Sequence, residues 1–370
     1  MKILTPSLNW LLVFVPAAII AKFFFAGAET FTFIAACLAI IPLAGWMGKA
    51  TEHLAERTGE GIGGLLNATF GNAAELIIAI VALSKGLTDI VKASLTGSII
   101  GNILLVLGAS LIAGGLKHPE QKFNAVGARV QSTLLTLAAI GLVAPAAFHH
   151  SVGAQGQLQE THVSIAIAII LLATYALGLW FSLRTHRHLF SGHGHSTESN
   201  LDAKFDHPSP ATWPLGVAIT VLLLATGFVA WISEILVGTV EHAAETFGMN
   251  SVFVGVIIVA VIGNAAEHST AVLMALKSRM DLSLGIAIGS SIQVALFIAP
   301  LLVLLSLFIG PVPMDLVFTL PEVIAVVVAV AITSQIASDG RSNWLEGTLL
   351  IAVYAIFAVV FYYLPEAPHG

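Results

Sequence analysis

Two glutamates sit inside apolar runs, where packing gives them no purpose. Glu75 closes the run Gly71-Asn72-Ala73-Ala74-Glu75, and Glu267 closes Gly263-Asn264-Ala265-Ala266-Glu267. Each glycine lies four residues before its glutamate and so shares its helix face. Glycine lets an ion or a neighbouring backbone come close, and it can loosen the helix so that carbonyl oxygens are exposed. Asn72 and Asn264 add amide oxygens, and Ser98 and Ser290, in the apolar runs that follow, add hydroxyls. Such a hard-oxygen set suits Ca²⁺, which takes six to eight oxygens at roughly 2.3–2.6 Å. A lone cysteine, Cys37, and the lack of convergent histidines argue against zinc or copper. Two ionised carboxylates neutralise one divalent cation. When the metal leaves, like charges in a poorly solvated site repel, and protons take its place. Sodium could be the counter-ion on similar oxygens, so these residues leave both partners open.

The elements that position this chemistry must lie in a membrane. Of 370 residues, 57% are apolar and 10% charged, and the mean hydropathy is +0.94. So few charges cannot cover a soluble fold of this size. Net charge is −6 with no basic block, which excludes nucleic acid as a partner. A membrane helix needs about 20 mostly apolar residues. Eleven segments qualify: 7–25, 30–48, 62–83, 90–115, 125–147, 162–183, 213–237, 252–276, 282–309, 316–336 and 344–364. The expected class is an all-α polytopic membrane protein, since the alternating short strands of a barrel are absent. The first segment reads as a retained span, with no signal-peptide cleavage pattern after it.

Lysine and arginine set the orientation. With the N-terminus in the cytoplasm, twelve lie on the cytoplasmic side and three (Lys22, Lys85 and Lys92) opposite, and the C-terminus lies outside. At an offset of 192 the chain matches itself at 11 of 33 positions over 71–103, including Asn72, Glu75, Lys85, Asp89 and Ser98. The third and eighth spans run in opposite directions, so the copies are inverted, as in many secondary transporters with a midplane site. The expected layout is a first helix (1–28), an N-terminal five-helix repeat (29–184), a His-rich cytoplasmic linker (185–212) and a C-terminal five-helix repeat (213–370). The linker histidines could hold a transition metal or simply belong to a hydrophilic tether.

Other residues carry weaker signals. His268 follows Glu267, and its counterpart is Leu76. Neighbouring helical residues do not share a face, so His268 either relays protons or packs. Asn102 could face the site from one turn beyond Ser98. The paired Glu52-His53-x-x-Glu56 and Glu241-His242-x-x-Glu245 segments read as cation-gathering mouths or as solvated helix ends. Asp89 and Asp281 read as helix-start acids that cap, and Glu322 falls near the outer end of the tenth span. No phosphate-binding Gly-x-x-x-x-Gly-Lys-Ser/Thr loop, His-Glu-x-x-His motif or Gly-x-Ser-x-Gly turn is present. The expectation is a carrier without cofactor, not an enzyme. A passive cation channel is the rival.

The two Gly-Asn-Ala-Ala-Glu runs, with Leu76-Ile77-Ile78 after the first and His268 after the second, closely resemble the signature repeats of the calcium/proton exchanger (CAX) family within the cation/calcium exchanger superfamily. The resemblance spans nearly the whole chain and implies one plus five plus five helices. It implies Ca²⁺/H⁺ antiport, with the proton favoured over sodium, and leaves other divalents such as Mn²⁺ and Cd²⁺ as alternatives. By resemblance Glu75 and Glu267 are the metal carboxylates that also carry protons, and Gly71 and Gly263 offer main-chain oxygens. Asn72, Asn264, Ser98 and Ser290 line the pathway, with Gln293 a further contact. The linker lacks the acidic helix of some eukaryotic relatives, and the long plant N-terminal tail is missing, which points to a bacterial inner membrane. The expected partners are Ca²⁺, H⁺ and lipid, and the chain could form a homo-oligomer.

Overall fold

The computed structural model describes residues 8–25, 27–152, 157–186 and 213–365. The linker residues 187–212, with four of its histidines, lie outside the described residues. Apolar helices make up nearly all of the rest. They are α1 (Leu8–Phe24), α2 (Glu29–Phe70), α3 (Ala73–Ser84), α4 (Thr88–Lys117), α5 (Ala125–Val152) and α6 (Gln157–Trp180) in the first half. The second half has α7 (Leu215–Val237), α8 (Val240–Phe247), α9 (Ser251–Gly263), α10 (Ala265–Leu276), α11 (Met280–Leu305), α12 (Leu320–Ile336) and α13 (Trp344–Tyr362). Among the described residues, seven helices are long and apolar enough to cross a membrane alone, or eight if the bent pair α8–α9 is one span. Three shorter apolar helices, α1, α3 and α12, bring the layout into line with the eleven expected segments.

Two expectations change. The spans 30–48 and 62–83 are linked by helix rather than by a loop: α2 is helical for 42 residues, through the polar stretch 49–60, and stops at Gly71-Asn72. The expected span 252–276 is broken at Asn264 into α9 and α10. Backbone hydrogen bonding within a helix needs no apolar side chains, so a polar stretch alone does not end one.

Helix-end contacts sort the loops onto two faces. On one face β1 (Gln121–Lys122) pairs antiparallel with β2 (Arg341–Ser342), Asn124 N–H donates to Asp281 Oδ1 at 2.6 Å, and Lys117 Nζ donates to Leu276 O at 3.1 Å. Trp213 stacks on Trp46 (5.7 Å) and His53 (4.6 Å). On the other face Lys92 pairs with Asp315 at 2.6 Å, Lys85 reaches Glu234 O at 3.1 Å, and His242 meets Glu29 at 3.4 Å. These are the two loop sets that the charge count separates. Helix α3 therefore runs toward one face and α10 toward the other, so the repeats are inverted.

Helices α4 and α11 form the centre: 72% of each apolar window is buried, against 17–22% for α6, α7 and α13 at the lipid-facing rim. Both central helices widen into a π segment just past the serine, at Gly101–Val106 and Val294–Ile298. Small residues let these helices touch backbone to backbone. A Cβ at Gly347 of α13 would fall 2.5 Å from Gly108 O on α4. Gly347→Val should therefore destabilise the protein by about 1–3 kcal/mol through overpacking. Gly227→Ala, where a Cβ meets nothing within 4 Å, should not. Melting temperature in detergent checks both.

Candidate functional site

Both signature motifs interrupt their helices at the asparagine. Asn72 (φ −104°, ψ 28°) and Asn264 (φ −98°, ψ 2°) leave helical geometry, and α3 and α10 start at the next residue. Glu75 and Glu267 thus stand in the first turns of two short helices that begin inside the bundle and point their N-termini at its middle. There the helix dipole favours negative charge. Ser98 and Ser290 each lie ten residues into α4 and α11. At 1.5 Å per residue that is about 15 Å of depth, half of a bilayer core.

The carboxylates are bound across and within the repeats. Glu75 Oε1 accepts from Ser98 Oγ and from the Asn264 amide of the other repeat. Asn264 Nδ2 also reaches Ser98 Oγ at 3.1 Å and Ala260 O at 3.0 Å. Gly263 is the cradle opposite: a Cβ there would fall 3.1 Å from Glu75 Cγ. Glu267 Oε2 accepts from Ser290 Oγ, and the two carboxylates are near enough to repel one another. Glu75 Oε2, Asn264 Oδ1 and both amide atoms of Asn72 are buried without a hydrogen-bond partner. Buried polar groups are ordinarily paired, so oxygens left without a partner are ones a hard cation could use. Among the described residues no three His, Cys, Asp or Glu side chains converge, so further oxygens would come from amides and hydroxyls.

The two carboxylates face different spaces. Glu267, Ser290, Gln293 and Gly71 lie at the deep end of a cavity of about 700 Å³ that extends to Asn124 and Asp281. Glu75 and Ser98 line a pocket of about 10 Å³, too small for more than a water. One side of the site is therefore open and the other closed.

Other expected residues fall elsewhere. His268 bonds through Nε2 to Asn102 Oδ1 on α4 at 3.2 Å. The sequence signal for this pair is a correlated departure from symmetry: His268 and Asn102 touch, and their counterparts Leu76 and Val294 are both apolar. Asp89 and Asp281 stand in the first turns of α4 and α11, behind the N-cap residues Leu87 and Arg279; Asp281 also ties the loop at Asn124. Glu322 is a buried cap: its Oε2 accepts from Thr319 N at 2.9 Å and Oγ1 at 2.6 Å, and its Oε1 from Thr96 Oγ1 at 3.3 Å. Glu52, Glu56, Glu241 and Glu245 are exposed.

An inverted-repeat helical membrane bundle with one central carboxylate from each half defines a secondary transporter of cations. The chain belongs to the sodium/calcium exchanger protein family, whose profile matches residues 28–184 and 217–363. It is 46% identical over 361 residues to the Ca²⁺/H⁺ antiporter of Synechocystis sp., covering 96% of both chains. It is 49% identical over 329 residues to the Ca²⁺/H⁺ antiporter ChaA of Bacillus subtilis, covering 89% of this chain and 91% of that one. The structure of native YfkE matches with a TM-score of 0.82 at 43% identity, over 97% of this chain and 100% of that one.

Gly263→Val should push the Glu75 carboxylate off its partners. A divalent cation that raises the melting temperature of the native protein by binding should then give little or no rise in the variant, as read by thermal unfolding with and without the ion.

Proposed function

We propose that this integral, multi-pass membrane protein is a secondary-active Ca²⁺/H⁺ antiporter that exports cytosolic Ca²⁺. The observation that carries the reading is the pair Glu75 and Glu267, one from each inverted repeat. Both sit at mid-depth, one at an open cavity and one sealed. Nearly full-length likeness to proteins named Ca²⁺/H⁺ antiporters supports the choice of ions. Glu75, Glu267, Gly71, Gly263, Asn72, Asn264, Ser98, Ser290 and Gln293 form the cation pathway, and the two glutamates also take the protons. His268, held by Asn102, tunes that exchange from one side. The chain needs no cofactor: the proton gradient supplies the work.

The functional layout is the first helix at 1–28, repeats at 29–184 and 213–370, and a linker at 185–212. The excess of lysine and arginine supports a cytoplasmic position for the 117–124 and 276–281 loops, with the N-terminus inside and the C-terminus outside, in a bacterial inner membrane. The large cavity then opens inward. Ca²⁺ enters it while both carboxylates are ionised, and their charges are neutralised together. With the cation bound, repulsion between the glutamates no longer resists closure, so the carrier can switch. Outside, protons displace Ca²⁺ and discharge the pair, and the neutral site returns. Metal and protons compete for the same oxygens, so lowering pH on the Ca²⁺-loading face should weaken apparent Ca²⁺ affinity there.

Purified protein in proteoliposomes should take up radiolabelled Ca²⁺ under an imposed pH gradient and not under a sodium gradient alone. Glu75→Gln and Glu267→Gln should each abolish that flux while keeping the native elution profile. Full transport by either variant removes the carboxylate mechanism. Sodium-driven flux would favour Na⁺-coupled exchange, and flux without any counter-gradient a channel.

A further inference from the structure

Among the described residues, the cavity that reaches Glu267 is lined by two charged side chains, both acidic: Glu267 at the deep end and Asp281 at the loop face. A cleft walled by one sign of charge concentrates ions of the other. One wall is α11, which presents Asp281, Gly285, Gly289 and Gln293 to the cavity at four-residue steps. The steps span about 18 Å of helix. A Cβ at Gly285 or Gly289 would meet nothing within 4 Å. These glycines therefore serve no close helix contact; they keep the wall low where the cavity runs past it. The hydrogen bond recorded for Asp281 uses Oδ1, which holds the Asn124 N–H at 2.6 Å. Oδ2 remains for a cation or its water.

The pseudo-symmetric stripe on α4 is Asp89, Ala93, Gly97 and Gly101. It is shut. A Cβ at Gly97 would fall 2.0 Å from Val256 O, and one at Gly255 would fall 2.6 Å from the Ala93 Cβ. The backbone of α9 lies in the space that is open beside α11. Related stripes thus exist in both repeats, one clear and one filled, matching the open Glu267 and the sealed Glu75.

Resting on the exchanger reading above, we propose that Asp281 is a capture site for the divalent cation, and that the stripe Asp281–Gly285–Gly289–Gln293 is its route to Glu267. The stripe headed by Asp89 is the matching route on the opposite face, closed in this state by α9.

The competing role for Asp281 is purely structural, as the tie to Asn124. Asp281→Asn separates the two, because the amide oxygen can still accept from the Asn124 N–H while the charge is gone. In proteoliposomes at low ionic strength Asp281→Asn should raise the KM for Ca²⁺ about tenfold with little change in maximal rate. The rise should shrink in high salt as charges are screened, and Asp281→Glu should restore most of the affinity. An unchanged KM in Asp281→Asn overturns capture. So does a loss of maximal rate with KM intact. For the route, Gly285→Cys in a Cys37→Ala background should react with a membrane-impermeant thiol reagent applied to the cavity face, and the adduct should block flux. Complete labelling with unchanged flux overturns it. Wild-type exchange measured in the same vesicles separates failure of capture from failure of the exchanger reading.

Discussion

The structure depends on keeping two carboxylates in a place that disfavours them. An acidic side chain at the centre of a bilayer helix costs about 2.5–3.5 kcal/mol on insertion scales. This protein places one in each half, close enough to repel. Several features of the bundle offset that cost. The helices break at Asn72 and Asn264, so each glutamate occupies the first turn of a new helix, where free amide groups and the dipole face it. Ser98 and Ser290 donate from the buried central helices. Glycine at 263 leaves room for the Glu75 side chain to cross between repeats. Packing and charge are therefore one problem here: the residues that bring backbones together also make space for the acids.

Much of this was legible in the sequence because polar residues are rare in it. A motif repeated at a fixed offset stands out when its Asn, Glu, Lys and Asp recur together in apolar helices. The Asn and Glu positions do meet across the repeats, as the contact between Asn264 and Glu75 shows, while the Lys and Asp positions lie toward the two faces. Less legible was the path of the backbone. Hydropathy reports depth in the membrane, not direction, and it suggested a loop after Gly48 where the backbone stays helical. The second copy does bend, by 115° between α8 and α9. The reason is local: Gly248 takes φ +64°, and Asn250 accepts from the Phe253 N–H as a helix cap. The matching stretch in the first copy is Gly59-Glu60-Gly61, with glycine at the position of the capping Asn250. The roles of Asp281 and Glu322 were hidden for another reason. An acid at a helix start looks like a cap whether it bonds its own helix, as Glu322 does, or a loop from another repeat, as Asp281 does.

Related sequences in unlike shapes are also what an alternating carrier requires. Continuously helical α2 against the interrupted pair α8–α9, open Glu267 against sealed Glu75, and the low wall of α11 against the filled face of α4 are three forms of one asymmetry. If the halves were identical in shape, the central site would be equally reachable, or equally hidden, from both faces.

The π segment in α4 carries a geometric consequence. A π turn holds one residue more than an α turn, so everything beyond it is rotated by about 100° relative to an uninterrupted helix. Before Gly101 the helix abuts α9 through Gly97; beyond Val106 it abuts α13 through Gly108. The widened turn resets the azimuth of the rod between these two neighbours. One polypeptide segment can thus pack against α9 over its first half and against α13 over its second, with neither half dictating the register of the other.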